Sequence, residues 1–129
     1  MYLSAAALNP DDIDLQKKVG QLLLQMGFID QAIKQYLTIV KIHPDSADEY
    51  ITLAYLFASK KEFDQSEKHL RKALAIAPKH PNIHLNLGLV LSAQGKTGEA
   101  IDTYRKGLSV FPDNPRLKEE LNRLEGLKP

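Results

Sequence analysis

Apolar positions in this chain recur at spacings of three and four residues. Val19 and Leu23 are followed by Ala32 and Tyr36, Leu53 and Phe57 by Ser66 and Leu70, and Leu87 and Leu91 by Ala100 and Tyr104. Each set places an apolar stripe on one face of each of two helices, and that period excludes strands. The three sets stand in phase with four prolines, Pro10, Pro44, Pro78 and Pro112, each 34 residues after the one before. A self-similarity of this length predicts a repeat architecture, in which each unit buries its apolar face only against its neighbours.

Bulk alternates with gaps inside each unit. Gly20, Ala54 and Gly88 occupy one register and Ala32, Ser66 and Ala100 another, while Tyr36, Leu70 and Tyr104 fill a third. Two antiparallel helices approach closely only where one presents little side chain and the other presents bulk. Gly20 or Ala54 therefore makes the gap that Tyr36 or Leu70 fills. Gly27 and Gly95 mark the end of the first helix of a unit, and Asp30 or Asp64 is expected to cap the second. Each proline pushes the residue before it out of the helical region. Ser46 with Glu49 reads as a capping box, and Asn114 with Pro115 as a further helix start.

Composition narrows the function. The chain has 129 residues, 43% apolar and 26% charged, which is the make-up of a globular protein. Its 17 Lys and Arg against 16 Asp and Glu leave a formal net charge of +1. Nothing in that balance calls for nucleic acid or a membrane surface as partner. Without cysteine there is no disulfide framework, thiolate metal site or cysteine nucleophile, and the redox compartment is unconstrained, with the cytoplasm the default. Met1–Leu8 is apolar but has no basic residue ahead of it, so it reads as structure rather than as a leader. No apolar run approaches the roughly 20 residues of a spanning helix.

The in-phase pattern resembles the tetratricopeptide repeat: a bulky residue, Leu with Gly or Ala, an aromatic, then Ala, an aromatic and Pro. The middle unit matches through Tyr50, Leu53, Ala54, Phe57, Ser66, Leu70, Ala73 and Pro78. Gln16 and His84 depart at the first bulky position, and Ile39 and Gly107 stand where Ala73 does. The resemblance implies an all-α solenoid of antiparallel helix pairs wound into a right-handed superhelix. Repeats are expected over 13–46, 47–80 and 81–114, followed by a cap helix over 115–127 built on Leu117, Leu121 and Leu124. Residues 1–10 read as the second helix of a truncated preceding repeat, with Tyr2 in the register of Tyr36. On that reading the chain is a fragment of a longer array, or a native half-repeat leaves an apolar face that a partner covers or that drives self-association.

The family's usual ligand surface is the concave side, lined by first helices. At about 100° per residue, the side of each first helix opposite its core carries Asp14, Lys18, Gln21 and Gln25, then Asp48, Thr52, Tyr55 and Ser59, then Asn82, Asn86, Leu89 and Ala93. Lys17, Ile51 and Leu85 lie on the flank, where Ile51 and Leu85 either line the groove or pack between first helices. The expected groove residues are Lys17, Gln21, Ile51, Tyr55, Leu85, Asn86 and Leu89, an apolar stripe with polar edges suited to a peptide or helix. Cochaperones of the family grip acidic carboxyl termini of heat-shock chaperones with Lys, Asn and Arg; at the matching Lys17, Gln21, Thr52, Asn82 and Asn86 only Lys17 agrees. The asparagine ladder of glycosyltransferase-linked arrays would need Asn in place of Lys18 and Thr52, and is absent.

No chemistry is expected. His80 and His84 have the spacing of a metal pair, but Pro81 between them marks a helix boundary and no third ligand is placed nearby. His43 and His69 fit surface or packing roles. Gly95, Lys96 and Thr97 end like a phosphate loop, but Val90 occupies the place of its first glycine. The basic run from Lys68 to Lys72 reads as a solvated convex face, with Glu67 paired to Arg71. The sequence therefore predicts a non-catalytic protein-interaction module with no cofactor and no metal, binding a peptide or helix on its concave face. The alternative is a self-association or docking segment of a larger protein, such as an enzyme.

Overall fold

The structure, a computed structural model, describes residues 12–126. The reading of residues 1–10 and the end of the cap at Leu127 lie outside them. Among the described residues there are seven helices and no strand: α1 (Ile13–Gln25), α2 (Ile29–Ile42), α3 (Ala47–Ser59), α4 (Phe63–Ile76), α5 (Ile83–Ala93), α6 (Thr97–Val110) and α7 (Pro115–Glu125). Each packs mainly against its neighbours in the chain, as a stack of helix pairs requires.

Gaps and bulges meet where the pattern placed them. A Cβ added at Gly20 would sit 2.8 Å from Cε2 of Tyr36, and one at Gly88 would lie 2.6 Å from Cζ of Tyr104. Both tyrosines are buried across the pair interface. Gly107 makes a similar approach between helices, where a Cβ would be 2.7 Å from Cβ of His84 and 3.0 Å from Leu117. The small residue there lets α5 and α7 close on α6, so this departure from the repeat pattern serves close packing.

The turns inside the pairs share one backbone shape. Gly27 and Gly95 take φ of +79° and +80°, and Lys61, in the same register of the middle unit, takes +61°. Left-handed backbone is open to glycine and strained for a lysine. The expected capping by Asp30 and Asp64 does not occur. The N-caps of α2, α4 and α6 are Phe28, Glu62 and Lys96, and none gives a side-chain cap bond. The helices start two residues earlier than an aspartate cap would require. Asp30 sits in the first turn of α2, where its charge suits the helix dipole. Ser46 is the N-cap of α3, but its hydroxyl pairs with the Glu49 carboxylate instead of a backbone N–H. Asn114 caps α7, accepting from the N–H groups of Arg116 at 3.0 Å and Leu117 at 3.1 Å.

Two apolar clusters fill the stack, one centred on α1 to α3 and one on α4 to α7, and Leu74 touches both. Polar ties cross the junctions between units. Lys60 pairs with Asp30 at the first. At the second, Glu67 accepts from Gln94 at 2.9 Å, Lys96 at 3.1 Å and its own helix's Arg71 at 2.7 Å. Arg105 reaches Glu125 of α7 at 2.7 Å.

Candidate functional site

The outward sides of the first helices stand as the 100° rule places them. Asp14, Lys18, Gln21 and Gln25 are exposed on α1, Asp48, Tyr55 and Ser59 on α3, and Asn82 and Ala93 at the ends of α5. Thr52, Asn86 and Leu89 are half-buried between them. Tyr55 is 73% exposed, an unusual position for a large aromatic ring in a molecule with room to bury it.

Beside Tyr55 opens an apolar pocket of about 190 Å³ between α3 and α5. Ile51, Tyr55, Leu89 and Asn86 line it together with Ala54, Ala58, Ser66, Leu70 and Val90. Its depth comes from small side chains, since Ala54 and Ala58 leave the flank of α3 low enough for the pocket to reach α4. At its floor the Ser66 hydroxyl donates to the Ala54 carbonyl at 2.7 Å, so a buried polar group is satisfied within the wall. Asn86 is the amide side chain in the lining.

Four of the seven expected groove residues thus share one pocket, and three do not. Leu85 is only 7% exposed and packs into the cluster of α4 to α7, the inter-helix alternative for the flank. Gln21 is exposed on α1, one unit away. Lys17 Nζ lies 3.1 Å from Glu49 Oε1, a carboxylate buried between α1 and α3 that the Ser46 hydroxyl also contacts. The lining residues that outward-pointing geometry did not single out are Ala54, Ala58, Ser66, Leu70 and Val90. The in-phase small residues Ala54 and Ser66 carried the available signal, because a gap between helices is also a hollow when nothing fills it.

The histidines are placed by packing. His69 is buried, stacks on Phe57 at 5.3 Å between ring centroids, and has Nδ1 2.8 Å from the Gln65 carbonyl. Burial pushes it below the usual imidazole range despite that contact. His84 is buried with Nδ1 lacking a hydrogen-bond partner, and burial, then Lys106, lowers it too. His80 Nε2 faces Asp48 Oδ1 at 3.4 Å on the surface. Among the described residues no group of three His, Asp or Glu side chains converges as a metal site. No helix there is long and apolar enough to cross a membrane.

A sequence model described as tetratricopeptide repeat matches residues 45–113, more than half of the chain. No curated protein sequence matches it. Among solved structures, MamA is similar with a TM-score of 0.88 at 24% identity, over 97% of this chain and 74% of MamA. The first tetratricopeptide domain of Spaghetti (RPAP3), bound to the HSP90 peptide SRMEEVD, superposes with a TM-score of 0.80 at 22% identity, over 89% of this chain and 91% of the other. The second such domain of human RPAP3, in complex with the HSP70 peptide SGPTIEEVD, gives 0.77 at 19% identity, over 85% and 92%. These likenesses show the fold.

Proposed function

The chain belongs to the tetratricopeptide repeat family, and on that premise we propose that it is a non-catalytic interaction module whose concave face binds a peptide or helix through one apolar anchor. The observation that carries this reading is the pocket between α3 and α5, open beside an exposed Tyr55 and walled by Ile51 and Leu89. A pocket of about 190 Å³ has room for one large aliphatic or aromatic side chain. Tyr55 would close over such an anchor, since an aromatic ring gives contact area at small entropy cost. Asn86 offers both a donor and an acceptor to the ligand backbone. Gln21 and Lys17 would orient the ligand where it continues over α1.

The peptide complexes of the two RPAP3 domains favour a protein or peptide ligand for this chain as well. The two peptides share the acidic ending EEVD. This chain is a poor match for such an ending. Of the clamp cations only Lys17 has a counterpart here, and Glu49 already holds its ammonium. A carboxylate-terminated ligand would have to displace that buried partner, leaving Glu49 with the Ser46 hydroxyl but no counter-charge.

Selection from a displayed library of random peptides tests the reading. Enriched peptides should share one large apolar residue without a terminal acidic run, and Tyr55→Ala with Leu89→Ala should weaken their binding at least tenfold while Tm stays within a few degrees. Enrichment of acidic carboxyl termini, or a collapse of Tm in the double variant, would overturn it.

A further inference from the structure

The two first helices that wall the concave pocket carry almost no charge. α5 holds no Lys, Arg, Asp or Glu, and α3 holds two carboxylates, Asp48 and Glu49, and no cation. Glu49 is buried and paired with Lys17 of α1 at 3.1 Å. Asp48 is left as the one charge on the outward side of this helix pair, and its side chain is 81% exposed.

Position makes that charge part of the site. Asp48 precedes Ile51 by three residues and Tyr55 by seven, so it shares their face of α3, one turn from the first wall residue and two from the second. A ligand leaving the pocket toward the start of α3 passes it. Toward the far end of the helices the outward positions are Ser59 and Ala93, both neutral. Among the described residues the one ion-pair contact of Asp48 is His80, whose Nε2 stands 3.4 Å away, long for a hydrogen bond. No Lys or Arg is set against it. Lys60, just past the end of α3, is held by Asp30 of α2, and the outward charges of α1, Asp14 and Lys18, balance each other.

Resting on the reading of this pocket as the ligand seat, we propose that the ligand is a basic segment. Its apolar anchor fills the space between Ile51, Tyr55 and Leu89, and a Lys or Arg within about 10 Å, the rise of the seven residues from Asp48 to Tyr55, pairs with Asp48. At about 3.3 Å per residue, an extended ligand carries that cation within about three residues of the anchor, on one side only. Charge complementarity of this kind selects partners and guides their approach. The preference is opposite in sign to the acidic ending EEVD of the peptides bound by the RPAP3 domains.

The displayed peptide library, selected in parallel against the parent and against Asp48→Lys, tests this. The parent should enrich a large apolar residue with Lys or Arg at a fixed offset on one side, and Asp48→Lys should keep the anchor and exchange the basic residue for Asp or Glu. The best parent peptide, synthesised with both ends capped, should bind about three- to fivefold more weakly when its basic residue becomes Gln, as an exposed ion pair allows. That loss should vanish in Asp48→Asn, with Tm unchanged. An enriched anchor without a charge preference, or a loss that persists in Asp48→Asn, would overturn the proposal and leave the pocket reading standing. Selection without a shared anchor would overturn both. So would a pocket filled by a second copy, seen in sedimentation as a mass that rises with concentration and falls in Tyr55→Ala.

Discussion

Gly88→Ala sets two opposed effects against each other at one atom. Alanine in the middle of α5 gains about 1 kcal/mol of helix propensity over glycine. Its Cβ, however, would stand 2.6 Å from Cζ and 2.7 Å from Cδ1 of Tyr104, far inside van der Waals contact. The ring cannot swing aside, because Tyr104 is wholly buried. Overpacking costs about 1–3 kcal/mol, and a contact this short against a ring that cannot move belongs at about 2–3, so a net loss of about 1–2 kcal/mol is expected. For a chain of this size that lowers Tm by about 4–8 °C. The middle unit already holds the relaxed solution, Ala54 opposite Leu70. Gly88→Ala combined with Tyr104→Leu should therefore recover stability relative to the sum of the single changes, with a coupling of at least about 1 kcal/mol. Removing the phenol also removes a buried hydroxyl that has no partner. Urea denaturation followed by circular dichroism, on all four members of the cycle, measures this directly. A Gly88→Ala variant as stable as the parent, or strict additivity, would refute the account of the glycine as a gap for the ring.

Lys61→Gly should stabilise the protein by about 0.5–1 kcal/mol, as relief of left-handed strain of about 1–2 kcal/mol outweighs the greater flexibility of unfolded glycine, while Gly27→Lys should do the reverse; chemical denaturation reads both. Burial pushes the Glu67 carboxyl up, but hydrogen bonds from Gln94, Arg71 and Lys96 override it and hold it at about 2. A depressed carboxylate contributes stability that is complete above its unfolded value and lost as pH falls through the folded one. Glu67→Gln should therefore remove about 2–3 kcal/mol at neutral pH and flatten the acid limb below about pH 4.5. His84 is lowered by burial, so its unfolded form binds protons first and stability should fall as pH drops below about 6.5. His84→Leu should raise Tm and remove its share of that step, leaving the share of His69, which burial also lowers, seen in melts taken across pH.

The helical pairs, their register and their gaps were legible because they rest on side-chain volume recurring in phase. Helix starts were less so. Asp30 and Asp64 are good capping residues by type, but the left-handed turn before them begins α2 and α4 early and leaves both inside the first turn. Lys61 hid a backbone state that Gly27 and Gly95 announced, since residue type reports that state only when it is glycine. His84 and Gly107 read as separate departures; together they form one contact, and only the packing of α5, α6 and α7 joins them. At the groove, outward direction could be computed from helical geometry for Tyr55 and Leu89. Burial of Leu85 depends on how far neighbouring helices splay, and the hollow at Ala58 depends on what α4 leaves unfilled, neither of which lies within one helix.

The unlike polar ties at the junctions bear on a problem inherent in near-identical units, which is that they can exchange places. The apolar code of one second helix fits the next seat about as well as its own. Were α2 to settle on α5, skipping a pair, Asp30 would face Gln94 instead of Lys60, and Glu67 would keep Arg71 alone. A partly buried carboxylate stripped of two of its three donors is a cost that the in-order stack does not carry. These contacts thus act as a spelling check on assembly: besides what they add to stability, they decide which neighbours hold each other.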